Sequence, residues 1–137
     1  MSQELLSYQS NFLPKVFINL IFKENLNYEM LKPLFEKHGF GFYSPEFKTI
    51  IIDGEIFSDE NDLTMDDLKF IEAHEIAHLL LNHEGERSDE DELDADLGAY
   101  LLLTKKGFST QRLIDKFYER HGINFDENLL KRVEHIL

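Results

Sequence analysis

The segment from Met65 to Leu81 constrains the fold more than any other stretch of the chain. Leu68, Phe70, Ile71, Ile76, Leu79 and Leu80 recur at helical spacing and form a wide apolar face, which predicts a central, buried helix. His74, Glu75 and His78 are set into this segment in the order His-Glu-Ile-Ala-His. Residues four apart lie one turn apart on one face of a helix, so two imidazoles placed this way can reach a single tetrahedral ion. Glu75 is angled beside such an ion and can accept a proton from a water that the metal makes acidic. In a chain of this composition the pattern arises by chance about 0.03 times, so two incidental histidines are the weaker reading.

A catalytic zinc site takes three protein ligands and keeps a fourth position open. The chain has no cysteine, so the ligands are drawn from histidine and carboxylate. A pattern with glycine three residues and histidine six residues after the second ligand fails, because Leu81 and Glu84 stand there. His83 follows His78 by five residues; on a continuing helix it points away from the metal and reads as a helix-end residue. A carboxylate on the next helix is the third option. Glu92 and Asp96 are four apart and share a face, and Ala95 and Ala99 are small enough for close helix approach. Asp91 or Asp94 takes the place of Glu92 if the helix register differs. The carboxylates crowded between Glu84 and Asp96 otherwise read as a solvated helix start. A calcium loop beginning at Asp89 fails, because Leu93 and Asp94 occupy the positions of a ligand and the required glycine.

The His-Glu-x-x-His motif followed by Glu92, Ala95, Asp96, Ala99 and Leu101-Leu102-Leu103 resembles the zincins of the ImmA/IrrE type. Its carboxylate helix is also similar to that of the Ste24/HtpX-like peptidases, both groups being gluzincin-like. The strand-like Ile50 to Asp53 ahead of the helix and the closing Phe125-Asp126, Arg132-Val133 and Ile136-Leu137 extend the resemblance over about residues 27–137. The chain departs from it at Leu103-Thr104, where the family often has Met-Pro, and in a short link from His78 to Glu92. The resemblance implies zinc held by His74, His78 and Glu92, with Glu75 as general base. It implies that Asp96 orients a ligand histidine through its free ring nitrogen. It also implies hydrolysis of peptide bonds in a protein or peptide substrate, as regulated cleavage of a partner such as a repressor. The alternative is a zinc-binding regulatory module of the same fold that binds such a partner with little proteolysis.

The rest of the chain predicts an α+β fold, mostly helical and zincin-like, with a small antiparallel sheet packed on the active-site helix, all in a single domain over residues 1–137. Asn27 to His38 reads as a helix stopped by Gly39, and Phe40–Tyr43 and Phe47–Asp53 as a hairpin around Ser44-Pro45-Glu46. Val16 to Phe22 suits helix or strand, and residues 1–14 predict a short helix or an arm. Thr64 and Asp67 resemble a capping box for the central helix. Further helices are expected from Ser88 or Asp89 to Thr104, over Ser109–His121 and over Asp126–Ile136. Ile50-Ile51-Ile52 is expected to form an open edge strand along the cleft, pairing with an extended peptide; the alternative is an interior strand with both edges paired, or an edge covered by residues 1–14. Tyr100, His83, Tyr43 and His121 are candidates, by residue type alone, for stabilising a developing oxyanion.

A net charge of −13, with no basic run longer than Lys105-Lys106, argues against nucleic acid and anionic membrane surfaces as partners. No apolar run nears the roughly 18 residues of a membrane span, and Met1-Ser2-Gln3-Glu4 carries no basic leader. The expectation is a soluble, cytoplasmic protein.

Overall fold

A computed structural model of the protein describes residues 5–57, 65–83 and 88–135. The chain divides into two compact units, Met1–Thr64 and Met65–Leu137. The first contains strands β1 (Leu5–Gln9) and β2 (Phe17–Ile21), helix α1 (Tyr28–His38), strands β3 (Gly41–Ser44) and β4 (Thr49–Asp53), and a 3-10 turn over Gly54–Phe57. The strands form one sheet in the order β1-β2-β4-β3. β1 runs antiparallel to β2, and β3 antiparallel to β4. β2 and β4 are parallel, in a register that sets Ile18 beside Ile50 and Leu20 beside Ile52.

The sheet is therefore mixed, not antiparallel as expected. The hairpin of β3 and β4 forms as the sequence predicts, but the ambiguous stretch before α1 becomes a strand and the chain crosses over through α1 to lie parallel to it. Residues inside 1–14 form a strand, not a helix or an arm; the alternation there is too weak to be legible. The open edge expected at Ile50–Ile52 is also corrected. β4 is paired on both sides, and Ile50 and Ile52 are wholly buried. A run of β-branched residues suits the middle of a sheet, where both faces and both edges are covered.

α1 lies on this sheet through Tyr28 and Phe35, which pack with Ile21, Leu31, Phe42 and Ile51. The Phe35 ring sits 5.6 Å from that of Phe42. The Tyr28 hydroxyl donates to Asp53 Oδ1 at 2.9 Å, tying the start of α1 to the end of β4.

The second unit is helical: α2 (Met65–Leu80), α3 (Asp89–Lys106), α4 (Gln111–His121) and a 3-10 segment over Glu127–Arg132. α2 and α3 form its principal packed pair. Ala73 and Ala77 on α2, and Ala95 and Ala99 on α3, are fully buried, as close helix approach requires. Leu97 and Leu103 of α3, Leu113 and Phe117 of α4, and Val133 are among the other buried apolar residues. Ser88 caps α3 by a reciprocal box. Its hydroxyl accepts from the Asp91 backbone N–H, and the Asp91 carboxylate accepts from the Ser88 backbone N–H, both at 3.1 Å. Gly107, at φ 78°, ends α3 in the left-handed conformation that glycine adopts without strain.

The expected cap residue Thr64 lies outside the described residues. Asp67, its expected partner, is buried and takes two hydrogen bonds from Arg112 of α4, the shorter at 2.9 Å. The final helix expected over 126–136 is shortened to a 3-10 segment, with Asp126 capping Asn128 and i to i+3 bonds such as Val133 N–H to Leu130 O. No helix among the described residues is long and apolar enough to cross a membrane.

Candidate metal centre

α2 brings His74 and His78 to one face, and their Nε2 atoms lie 3.1 Å apart. Glu92, in the first turn of α3, places Oε2 2.9 Å from His74 Nε2 and 3.0 Å from His78 Nε2. These three side chains form a group able to hold a metal ion. Ligand bonds of about 2.0–2.1 Å at tetrahedral angles put neighbouring donor atoms about 3.3 Å apart, close to what this chain presents before any adjustment. Two imidazole nitrogens and one carboxylate oxygen, without sulfur, suit a divalent ion of intermediate hardness. The His78 side chain is buried and that of His74 is 12% exposed, whereas Glu92 is 35% exposed, so the set meets solvent mainly on the Glu92 side. A cleft of about 660 Å³ opens there, lined in part by Glu92, Leu93, Arg120, His121 and Arg132.

The electrostatics favour a positive charge at the centre. Burial pulls the His74 imidazole toward neutrality, but its hydrogen bonds to Asp96 and Glu92 outweigh this and push its pKa up to about 9. Burial acts oppositely on Glu92, yet the two histidines hold its carboxyl well below the usual range. A proton on His74 supplies that charge in the chain as it stands. Glu75 is buried on α2, next in sequence to His74, and its charge is among those that raise the proton affinity of His74.

Asp96 meets three side chains. Its Oδ1 lies 2.7 Å from His74 Nδ1, the nitrogen not aimed at the other ligands. It also accepts from Arg120 Nε at 2.8 Å and Nη2 at 3.3 Å, and lies against His121 Nε2. Burial opposes its ionisation, but His121, His74 and Arg120 together hold its carboxyl far below the ordinary range. Arg120 and His121 were not foreseen in this role. They sit at the end of α4, distant in sequence, and no spacing rule links them to α2 or α3.

The register of α3 separates the three carboxylates that the sequence leaves open. Asp94 turns to Arg132, with Nε to Oδ1 at 2.7 Å, and Asp91 is engaged in the Ser88 cap. Only Glu92 of the three joins the histidines. His83 does not point away from the site as a continued helix requires. α2 stops at Leu80, Asn82 takes φ 60°, and the His83 N–H returns to the His78 carbonyl at 3.0 Å. That closure, with Asn82 N–H to Leu79 O, is a Schellman-type end, and it lays the His83 ring against His78, Nδ1 to Nδ1 at 2.8 Å.

Among the residues considered as oxyanion donors, His121 lines the cleft and Tyr100 is stacked on Phe125 at 4.8 Å. Tyr43 belongs to β3, in the other unit. No family model, curated protein or solved structure matches the chain, so the functional reading rests on this geometry and on the motif.

Proposed function

We propose that this chain is a zinc-dependent metallopeptidase, with His74, His78 and Glu92 holding the metal and Glu75 serving as general base. The observation that carries the reading is the convergence of the two Nε2 atoms and Glu92 Oε2 to about 3 Å from one another, beside a buried glutamate at the position next to the first histidine. Zinc in such a site supplies a Lewis acid and lowers the pKa of water to about 7. The Glu75 carboxylate takes the proton of the water that attacks the scissile carbonyl and passes it to the departing amine, so the C–N bond breaks with protons conserved. Asp96 keeps the Nδ1 proton on His74 and leaves Nε2 as the lone pair. The cleft beside Glu92 gives access to a peptide segment. The ImmA/IrrE resemblance extends the proposal to a zincin-like fold, a cytoplasmic setting and a partner protein such as a repressor as substrate.

One observation favours the rival reading, a zinc-binding module that acts by binding its partner: Glu75 is only 4% exposed. Burial also tunes many catalytic bases, and two variants separate the readings. Purified protein should contain about one zinc per chain by elemental analysis, and His78→Ala should lose it. Glu75→Gln should keep zinc and lose cleavage of an unfolded protein substrate. Full zinc occupancy in His78→Ala sinks the site; equal turnover in Glu75→Gln sinks the base.

A further inference from the structure

An imidazole that binds a metal divides its two nitrogens between fixed tasks. One offers a lone pair, and the other carries a proton that needs an acceptor. For His74 that acceptor is the Asp96 carboxylate; the same question arises for His78. Its Nε2 lies within the donor group, 3.0 Å from Glu92 Oε2, so the proton falls to Nδ1. What faces Nδ1 is a second imidazole, His83, at 2.8 Å. Two nitrogens at that distance share a single proton, one donating and one accepting.

We propose that His83 is the positioning residue for His78: its Nδ1 accepts the Nδ1–H of His78 and thereby fixes the tautomer and ring orientation that present His78 Nε2 to the metal. This rests on the metal reading above and deepens it. The assignment propagates outward. With Nδ1 accepting, the proton of His83 sits on Nε2, and Asp91 Oδ1 stands 3.4 Å from that atom. Asp91 is itself fixed by the Ser88 cap at the start of α3, one residue before Glu92. The chain Asp91–His83–His78 thus links the start of the carboxylate helix to the second histidine ligand. The local fold makes it possible. The left-handed Asn82 turns the backbone so that a residue five positions after His78 lies against it, and the His83 side chain is 11% exposed.

The rival account is that His83 only fills space at the helix end. Asn and Leu have matched shapes, but the Asn Oδ1 occupies the place of the imidazole Nδ1 and can accept a hydrogen bond. Gln carries its acceptor farther out, at the place of Nε2. The test uses the full chain, stripped of metal. Zinc affinity is measured by competition with a chromophoric chelator, ligand geometry from the visible bands of the cobalt-substituted protein, and stability from the unfolding midpoint in chelator. His83→Leu should weaken zinc binding roughly 10- to 100-fold and shift the cobalt bands. His83→Asn should bind within about threefold of the parent with its cobalt bands, and His83→Gln should resemble His83→Leu. Unchanged zinc affinity in His83→Leu overturns the proposal, and so does equal weakening by Leu and Asn. If His83→Leu does not fold, equal affinities for the Asn and Gln variants overturn it. A parent protein that binds no zinc at all overturns the metal reading itself, a result that the His83 variants alone cannot produce.

Discussion

Asp96→Asn is the substitution from which the geometry predicts most. Asp96 is 1% exposed, and its two oxygens meet three side chains: His74 and Arg120 at Oδ1, Arg120 and His121 at Oδ2. Asparagine has the same outline but one acceptor oxygen. Its amide N–H2 group must then face either the Arg120 guanidinium or an imidazole, placing donor against donor. Hydrogen bonds to charged groups contribute about 1.5–3 kcal/mol each, and removing one partner of a buried pair costs about 3–5 kcal/mol. Arg120 is 39% exposed, so water recovers part of its loss and the lower end of that range applies. We expect metal-free Asp96→Asn to be about 3 kcal/mol less stable than the parent, a fall in unfolding midpoint of roughly 10 °C. Urea unfolding in the presence of chelator measures it. The pH dependence follows from the sign of the shift. The folded-state pKa of Asp96 is depressed, so its contribution is fully present above the unfolded value of about 3.9 and fades as pH falls below it. The gap between parent and variant should persist from pH 5 to 8, on the order of 3 kcal/mol, and shrink below about pH 4. A gap under about 0.5 kcal/mol at neutral pH, or one that stays constant into acid, would falsify the hub role of Asp96.

Further outcomes are expected. Zinc must displace the proton that Asp96 and Glu92 hold on His74, so affinity should rise about tenfold per pH unit up to about 9. The folded pKa of His74 lies above its ordinary 6.5, so in the metal-free chain its stabilising contribution is fully present below 6.5 and lost as pH rises through about 9. Calorimetric titrations in buffers of different ionisation enthalpy should show about one proton released per zinc near pH 7; zero release refutes the assignment. In the first unit, a Cβ on Gly54 would stand 2.6 Å from the Phe22 ring, so Gly54→Ala should cost about 1–3 kcal/mol by thermal unfolding, and an unshifted midpoint refutes that contact.

What the sequence discloses, and what it withholds, follows from how far each signal reaches. The His74, Glu75 and His78 constellation is local. A period of 3.6 residues fixes its face, and no tertiary knowledge is needed to place it. Glu92 and Asp96 lie on one face of α3 for the same reason, but which neighbouring carboxylate turns inward depends on the rotation of α3 against α2. That rotation is set by buried Ala95, Leu97 and Ala99 together, and by Arg132 drawing Asp94 aside. Arg120 and His121 lie beyond any such rule, because their approach to Asp96 depends on the packing of α4, where Leu113 and Phe117 are buried. His83 follows the end of α2, and its turn toward His78 depends on Asn82, which adopts a left-handed conformation that asparagine tolerates better than most residues. The sheet shows the same division. The hairpin of β3 and β4 is a contact between neighbours in sequence, and Ser44-Pro45-Glu46 announces it. The parallel pairing of β2 with β4 is non-local, and nothing in Phe17–Ile21 alone distinguishes a strand from a buried helix turn. The same pairing closes the edge of β4, so the peptide-docking strand inferred from Ile50–Ile52 fails through a partner that the local pattern could not reveal.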